Sequence, residues 1–403
     1  MFKLAFRNIF RQPMRTCLTL AVIVFGVIGL ILMGGFVADA FLQLQEATIH
    51  SQIGHIQIHK SGYRTQGRRE PYKYLLKSSQ ELIVDFEAWP EVAEVMMRLG
   101  FSGLSNNGRA NYPIIGEGVE PDKEARMGSL LSIVEGRQIT HSDKFGILIG
   151  KGVAQALLVK PGDFITLLAN TAGGALNSLE FEVIGVFQSF SKDFDNRAVR
   201  ILLTAAQELL ATHDTDSIVF SLKATDASDA VVSRLKKQLP EGQFEVAPWY
   251  ELADFYQKTV DLYRRQFGVL EAVILVMVLL SVANTVNMAL YERTGEFGTL
   301  KALGNRPRDL FRLIMLEYTL IGLIGGGIGS VLGILLAWII SSIGIPMPPM
   351  PNSDLAYTAH ISIVPEVIAV AFAVGVVGTI LAAVIPALRV SRMPVIDALR
   401  ANV

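Results

Sequence analysis

The chain has 403 residues, 51% of them hydrophobic and only 18% charged, with a mean hydropathy of +0.41. Ordinary soluble domains carry about 25% charged residues, so these figures leave a soluble protein with an unusually apolar core or an integral membrane protein. A formal net charge of −1 in so apolar a chain excludes disorder and gives no signal for nucleic acid, and the single cysteine, Cys17, excludes a disulfide framework and a cysteine-built zinc site.

Residues 1–16 carry Lys3, Arg7, Arg11 and Arg15 and no acid. Spaced four apart, these line one face of an amphipathic basic helix suited to anionic headgroups. Residues 17–40 form the first candidate span, with a charge-free core from Leu18 to Val37. About 20 such residues cross a hydrocarbon core of about 30 Å. Ala38-Asp39-Ala40 has the form of a leader cleavage site, but the apolar run is longer than the about 7–15 residues of a leader, so it reads as a retained span.

Charge returns over residues 41–265, with 24 basic and 28 acidic residues, a balance of 24 − 28 = −4. That length suits one or two folded domains. Strand signals recur at His55–His59, Phe164–Leu168 and Phe181–Phe187. Helical periodicity lies between them at Leu82–Trp89, Gly152–Leu158, Ala205–Thr212 and Ala227–Leu239. Phe41–Ser51 and Trp249–Tyr263 read as helices that continue the adjoining spans. The segment is an α+β domain with helical stalks.

Three further spans follow at 266–290, 316–343 and 364–386, separated by loops 291–315 and 344–363 and followed by a tail, 387–403. Arg293, Lys301, Arg306, Arg308 and Arg312 lie in the first loop, Arg389, Arg392 and Arg400 at the end of the chain, and no basic residue lies in 344–363. The positive-inside rule then places both termini and the 291–315 loop in the cytoplasm, and 41–265 outside. The fold class is an α-helical membrane protein of four transmembrane helices with a large α+β extracytoplasmic domain between the first two.

No catalytic constellation emerges. His55, Gln57 and His59 share a strand face, but no carboxylate completes a metal site, and none is assigned. Gly146–Gly152 superficially suggests a phosphate loop, yet it is one residue short and has Gly152 where Ser or Thr must hold magnesium. In the spans, Gly322, Gly325, Gly326, Gly329 and Gly333 form overlapping small-residue rows for close helix packing. Glu271, Asn284 and Asn287 are costly in lipid and are expected to face the bundle interior or a cavity.

The loop after the second span reads Glu292-Arg293-Thr294-Gly295-Glu296-Phe297-Gly298-Thr299-Leu300-Lys301-Ala302-Leu303-Gly304. It reads as a short amphipathic helix capped by Gly304, lying on the membrane or docking into a partner groove. This E-R-x-x-E-x-G-x-x-x-A-L-G pattern resembles the coupling-helix signature of MacB/LolCE/FtsX-type permeases, the membrane subunits of type VII ABC transporters. Arg7-Asn8-Ile9-x-Arg11, Ile114-x-Gly116 with Pro121, and Pro386-Ala387 through Pro394-x-x-Asp397-Ala398-Leu399-Arg400 resemble further boxes of the family in the same order.

The resemblance implies a bacterial inner-membrane permease that is not itself an enzyme. It would pair with a second permease copy or paralogue and with a cytoplasmic ABC ATPase dimer, which would bind the ATP and magnesium. It would act by mechanotransmission. Phe297, Leu300 and Leu303 would pack into the ATPase, with Glu292, Arg293, Glu296 and Lys301 at the rim. Gly54-His55-Ile56-Gln57-Ile58 with Gly62-Tyr63 looks most like the lipoprotein-releasing branch. Phe36, Phe41, Leu44, Phe267 and Leu270 would then cradle lipoprotein or membrane-lipid cargo. A periplasmic carrier or adaptor is a further partner, although Asn170–Ser178 is short, glycine-rich and lacks proline, unlike the loop that branch uses to catch its carrier. The alternatives are a MacB-like peptide or antibiotic exporter and an FtsX-like signalling protein that activates a cell-wall hydrolase.

Overall fold

The computed structural model describes residues 13–67, 70–77, 83, 86–127, 131–240, 242–349 and 356–394. The basic face carried by Lys3, Arg7 and Arg11, residues 82, 84 and 85 of the expected Leu82–Trp89 helix, and the terminal box beyond Pro394 lie outside them.

In chain order, α1 (Pro13–Thr48) passes through a π-helical turn, Ile49–Ile53, into β1 (Ile56–Lys60). Then come β2 (Val92–Asn106), β3 (Asn111–Val119), α2 (Pro121–Arg126), β4 (Ser132–Gly136), β5 (Gly146–Gly150) and α3 (Lys151–Leu157). β6 (Phe164–Asn170), β7 (Leu176–Gln188), β8 (Ala198–Leu202), α4 (Leu203–Leu210), β9 (Ser217–Leu222), α5 (Ser228–Gln238) and β10 (Phe244–Pro248) complete the domain. The chain ends with α6 (Asp254–Glu292), α7 (Thr294–Ala302), α8 (Pro307–Ile343) and α9 (Pro365–Arg392).

The chain divides into two compact units. In the membrane unit, the helices α1, α6, α8 and α9 are long and apolar enough to cross a bilayer. Proline opens α8 and α9 at the position where its missing N–H is harmless, and Gly344, with φ 74°, ends α8. α9 runs on through the buried Pro386 to Arg392, so residues 387–392 are helix where a tail was expected. The reason is apolar: Ala387 and Val390 are buried in the bundle core.

The glycines of α8 form two rows. Gly325, Gly329 and Gly333 lie against Ile23, Val27 and Ile31 of α1, while Gly322 and Gly326 lie against Val376 and Phe372 of α9. A Cβ at Gly329 would sit 2.8 Å from Val27 Cβ and 3.2 Å from the Val24 carbonyl oxygen. Close approach of backbones here replaces the hydrophobic drive that lipid does not supply.

The outer unit is built on β2, a 15-residue strand with two sets of partners. Its first half pairs β9, which pairs β1, which pairs β10, all antiparallel. Its second half pairs β3 and β6. From there the ladders run β3 to β8, β8 to β5, β5 to β7 and β7 back to β6, closing a six-stranded ring. Phe181, Phe187, Leu99 and Ile147 are among the fully buried side chains of this unit. The three expected strands correspond to β1, β6 and part of β7, and β1 starts at Ile56, one residue after His55.

Gly146–Gly152 is the end of β5 and the start of α3. Side chains at Gly150 and Gly152 would collide with Asp195 and Asn196, so these glycines admit a neighbouring turn, not a phosphate.

Candidate coupling and cargo sites

α6 ends at Glu292 and α7 starts at Thr294, so Arg293 alone makes the bend (φ −97°, ψ 7°). The Thr294 hydroxyl donates to the Tyr291 carbonyl at 2.6 Å, satisfying a carbonyl at the end of α6. The Arg293 side chain turns inward and is buried. Its Nη1 donates to Glu317 Oε1 of α8 at 2.7 Å, its Nε to Glu296 Oε2 at 3.4 Å, and its guanidinium lies 5.1 Å from the centre of the Phe297 ring. Glu317 is also buried. At the far end of α7, Lys301 Nζ donates to the Met393 carbonyl, just past α9, at 2.6 Å. Burial lowers the Lys301 ammonium from its ordinary range.

This geometry redistributes the residues expected to meet an ATPase. Phe297 is 2% exposed and belongs to the bundle core with Leu310 and Ile314, so it cannot serve as an outward knob. Arg293 is turned away from the surface by its pairing, where a rim position was expected. Leu300 is half-buried, Glu296 and Lys301 are half-buried, and Glu292 is exposed. Leu303, the residue that caps α7, is 77% exposed and presents a large apolar side chain outward, beside exposed Arg306 and Arg308. A short amphipathic helix is free to pack either face, and no local pattern marks Arg293 as having a partner 24 residues on. Glu317, an acid inside an apolar helix, is a signal that could have found it.

A cleft of about 400 Å³ lies between α1, α6 and α9. Leu30, Leu275, Val367 and Val374 are among its apolar lining, and Glu271 and Glu366 are the acidic residues that line it. Glu271 thus meets a cavity, as its position in a span suggested. Asn284 is exposed on α6, contrary to the expected inward orientation, and Asn287 is half-buried. α6 is the least covered of the four long helices, with 11% of its most apolar stretch buried against 28% for each of the others.

The five residues expected to form a cradle lie on α1 and α6. Phe36 and Phe41 are half-buried on α1, Leu270 is exposed, and Phe267 stacks on Tyr263 at 6.0 Å. Leu44 is buried and belongs to the outer unit. None of the five lines the cleft, although Phe267 and Leu270 adjoin its residues Gly268 and Glu271 along α6.

In the outer unit, the histidines of the suspected face serve as hydrogen-bonding groups. His55 Nδ1 accepts from the Leu222 amide at 3.1 Å, and its Nε2 donates to Thr225 Oγ1 at 3.1 Å. Thr225 in turn donates to Glu46 Oε1 at 2.9 Å. Burial and the adjacent His50 lower the His55 imidazole to about 4. His59 bonds Gln57 Oε1 and the Asp216 carbonyl, each at 3.0 Å, and stacks on Tyr63.

Sequence reasoning missed the buried charge network beside it. Arg98 grips Glu124 at 2.6 and 3.0 Å, and Arg200 reaches Glu117 at 3.0 Å and the Ser51 carbonyl, in the π turn, at 3.2 Å. Burial opposes ionisation of Glu124, but the flanking Arg98 and Arg200 outweigh it and hold the carboxylate below its ordinary range. The short hairpin loop expected at Asn170–Ser178 is a turn of five residues, Thr171–Ala175, tied to the end of α4 through the Ala172 amide and the Leu210 carbonyl at 2.8 Å.

Residues 16–238 match the MacB-like periplasmic core domain, and residues 268–395 match the FtsX-like permease C-terminal region. The chain is 26% identical over 233 residues to an ABC transporter permease of Methanocaldococcus jannaschii, covering 56% of each. It is 24% identical over 345 residues to the lipoprotein-releasing system transmembrane protein LolC of Neisseria meningitidis serogroup B, covering 80% of this chain and 77% of that one. It is 26% identical over 347 residues to the macrolide export ATP-binding/permease protein MacB of Nitrobacter winogradskyi, covering 82% of this chain and 51% of that one. The chain thus spans about half the length of the archaeal permease and of that MacB protein. With the periplasmic core domain matched over more than half its length and the permease region after it, the chain belongs to the MacB/LolC/FtsX family of ABC transporter permeases.

Proposed function

We propose that this chain is the inner-membrane permease subunit of an ABC transporter, driven by a separate cytoplasmic ATPase that binds ATP and magnesium. The observation that carries the reading is the mounting of α7, fixed at one end to α8 and at the other to the end of α9. A helix held in that way passes displacement to the spans instead of absorbing it. The distribution of basic residues supports a cytoplasmic α7 and cytoplasmic termini. A second permease subunit fits against α6, whose exposed Val273, Met277, Leu280, Asn284 and Met288 recur at three- and four-residue spacing. An Asn within the span is relieved by a partner's amide.

For cargo, the reading is an acylated protein or a lipid-like amphiphile, whose chain the apolar cleft between α1, α6 and α9 can receive from the side. Export of a peptide or antibiotic is the second reading. It is favoured by the short, tethered turn Thr171–Ala175, which leaves little for a carrier protein to catch.

Two experiments test these statements. Leu303→Asp, at an exposed apolar position, should abolish co-purification of an ABC ATPase with the full chain. Undiminished recovery would count heavily against docking through α7. Photo-crosslinkers at Leu275 and Val367 should trap an acylated protein or lipid during ATP turnover. Trapping only non-acylated peptide supports export, and trapping nothing supports a signalling role.

A further inference from the structure

The buried pair Arg293–Glu317 stands out because its burial has no explanation in packing alone. Two charges are withdrawn from water at the junction of α6, α7 and α8, with side chains 10% and 7% exposed. A buried pair is seldom a source of stability in itself, since desolvation offsets the attraction, but removing one partner strands the other. Such a pair therefore defines geometry. Arg293 is well shaped for this: it forms the single-residue bend between α6 and α7, and its planar fork reaches α8 through Glu317 and α7 through Glu296 while lying against Phe297.

We propose that Arg293 and Glu317 are positioning residues, a brace that makes the coupling helix α7 and the span α8 move as one body. On this view the arginine of the E-R-x-x-E pattern acts inside the permease and does not touch the ATPase. Glu317, outside the pattern, is its obligatory partner. The contact with the ATPase then falls to the exposed end of α7 around Leu303, and the proposal rests on the permease reading for that part alone.

The test is a double-mutant cycle in the full chain, in lipid nanodiscs, co-expressed with the ABC ATPase that co-purifies with wild type. Arg293→Met and Glu317→Gln should each speed amide hydrogen exchange across residues 294–302 about tenfold or more, as opening a buried pair should. The double variant should be no worse than either single one, and Arg293→Glu with Glu317→Arg should restore protection. Arg312→Gln, at an exposed site on α8, should leave exchange across residues 294–302 unchanged.

Exchange alone would also report a merely structural role, so the ATP-dependent change in protection of α8 is read in parallel. It should disappear in Glu317→Gln while the ATPase is still retained. If Arg293→Met does not insert, Arg293→Lys, which keeps the charge and loses the fork, supplies that arm of the cycle. Loss of ATPase retention in Arg293→Met with wild-type behaviour in Glu317→Gln would overturn the proposal and make Arg293 a direct contact. So would additive effects, or an ATP response of α8 that survives Glu317→Gln. Failure of wild type to retain any ABC ATPase would overturn the permease reading, while the exchange cycle would still decide whether the pair holds α7.

Discussion

His55 shows how a single side chain can be bound to one protonation state. Its Nδ1 receives the Leu222 amide proton, so it has no room for a proton of its own, and its Nε2–H is directed to Thr225. The folded imidazole, held near 4, stays neutral while an unfolded one protonates below about 6.5. The unfolded chain therefore binds more protons across that interval, and the stability of the outer unit should fall as pH drops from about 6.5 to about 4. Thermal unfolding of the full chain followed over this range should show that decline. His55→Gln, which removes the titration, should flatten it; an equally steep profile in the variant would place the dependence elsewhere. Gly54-His55-Ile56-Gln57-Ile58 was legible as a strand with a polar face, but the partners of that face come from residues 216–225 and no local pattern announces them.

Among the elements, the long apolar helices were readable because length and charge exclusion act over about 20 residues at a time. The glycine rows of α8 were readable as contact surfaces, and the structure adds which helix each row meets. This gives a comparison with an internal control. Gly329→Val should destabilise the bundle by about 1–3 kcal/mol, because its Cβ meets Val27 and the Val24 carbonyl. Gly327→Val, where nothing lies within 4 Å, should change little, and unfolding of the full chain in micelles would measure both. Asn284→Leu should weaken self-association in vesicles about threefold or more if α6 meets its copy, by energy transfer between labelled chains. What escaped the sequence was the direction in which short elements face: α7 has nine residues, and its apolar Phe297 turns inward while Leu303, the residue that caps it, turns outward. A period so short fits two orientations equally well, and the groups that meet the inward face, Leu310, Ile314 and Glu317, lie on another helix.

For the molecule as a whole, the asymmetry of charge is the most informative property. Basic residues are absent from 266–290 and 313–388 and concentrated in 291–312 and at the end of the chain. Since Cys17 is the single cysteine, a cysteine-free background requires one substitution. In intact cells, a cysteine then introduced at Thr299 should resist an impermeant maleimide, whereas one at exposed Ser178 should react. The reverse pattern would invert the assigned orientation. The division into four apolar helices and an α+β insertion followed from composition by region. The ring of strands did not, because its ladders join residues as distant as Ile115 and Ala198, and nonlocal pairing leaves no trace in a single sequence.

The sharing of β2 between an open sheet and a closed ring has a consequence for how errors are avoided. A strand displaced by one residue presents its core side chains to water. In β2 that slip would disturb two ladders at once, the one with β9 on Val92–Arg98 and the one with β3 on Leu99–Asn106. Each half therefore proofreads the alignment of the other. No cut within this strand leaves either lobe whole, so the outer unit should be inherited, folded and degraded as a single piece.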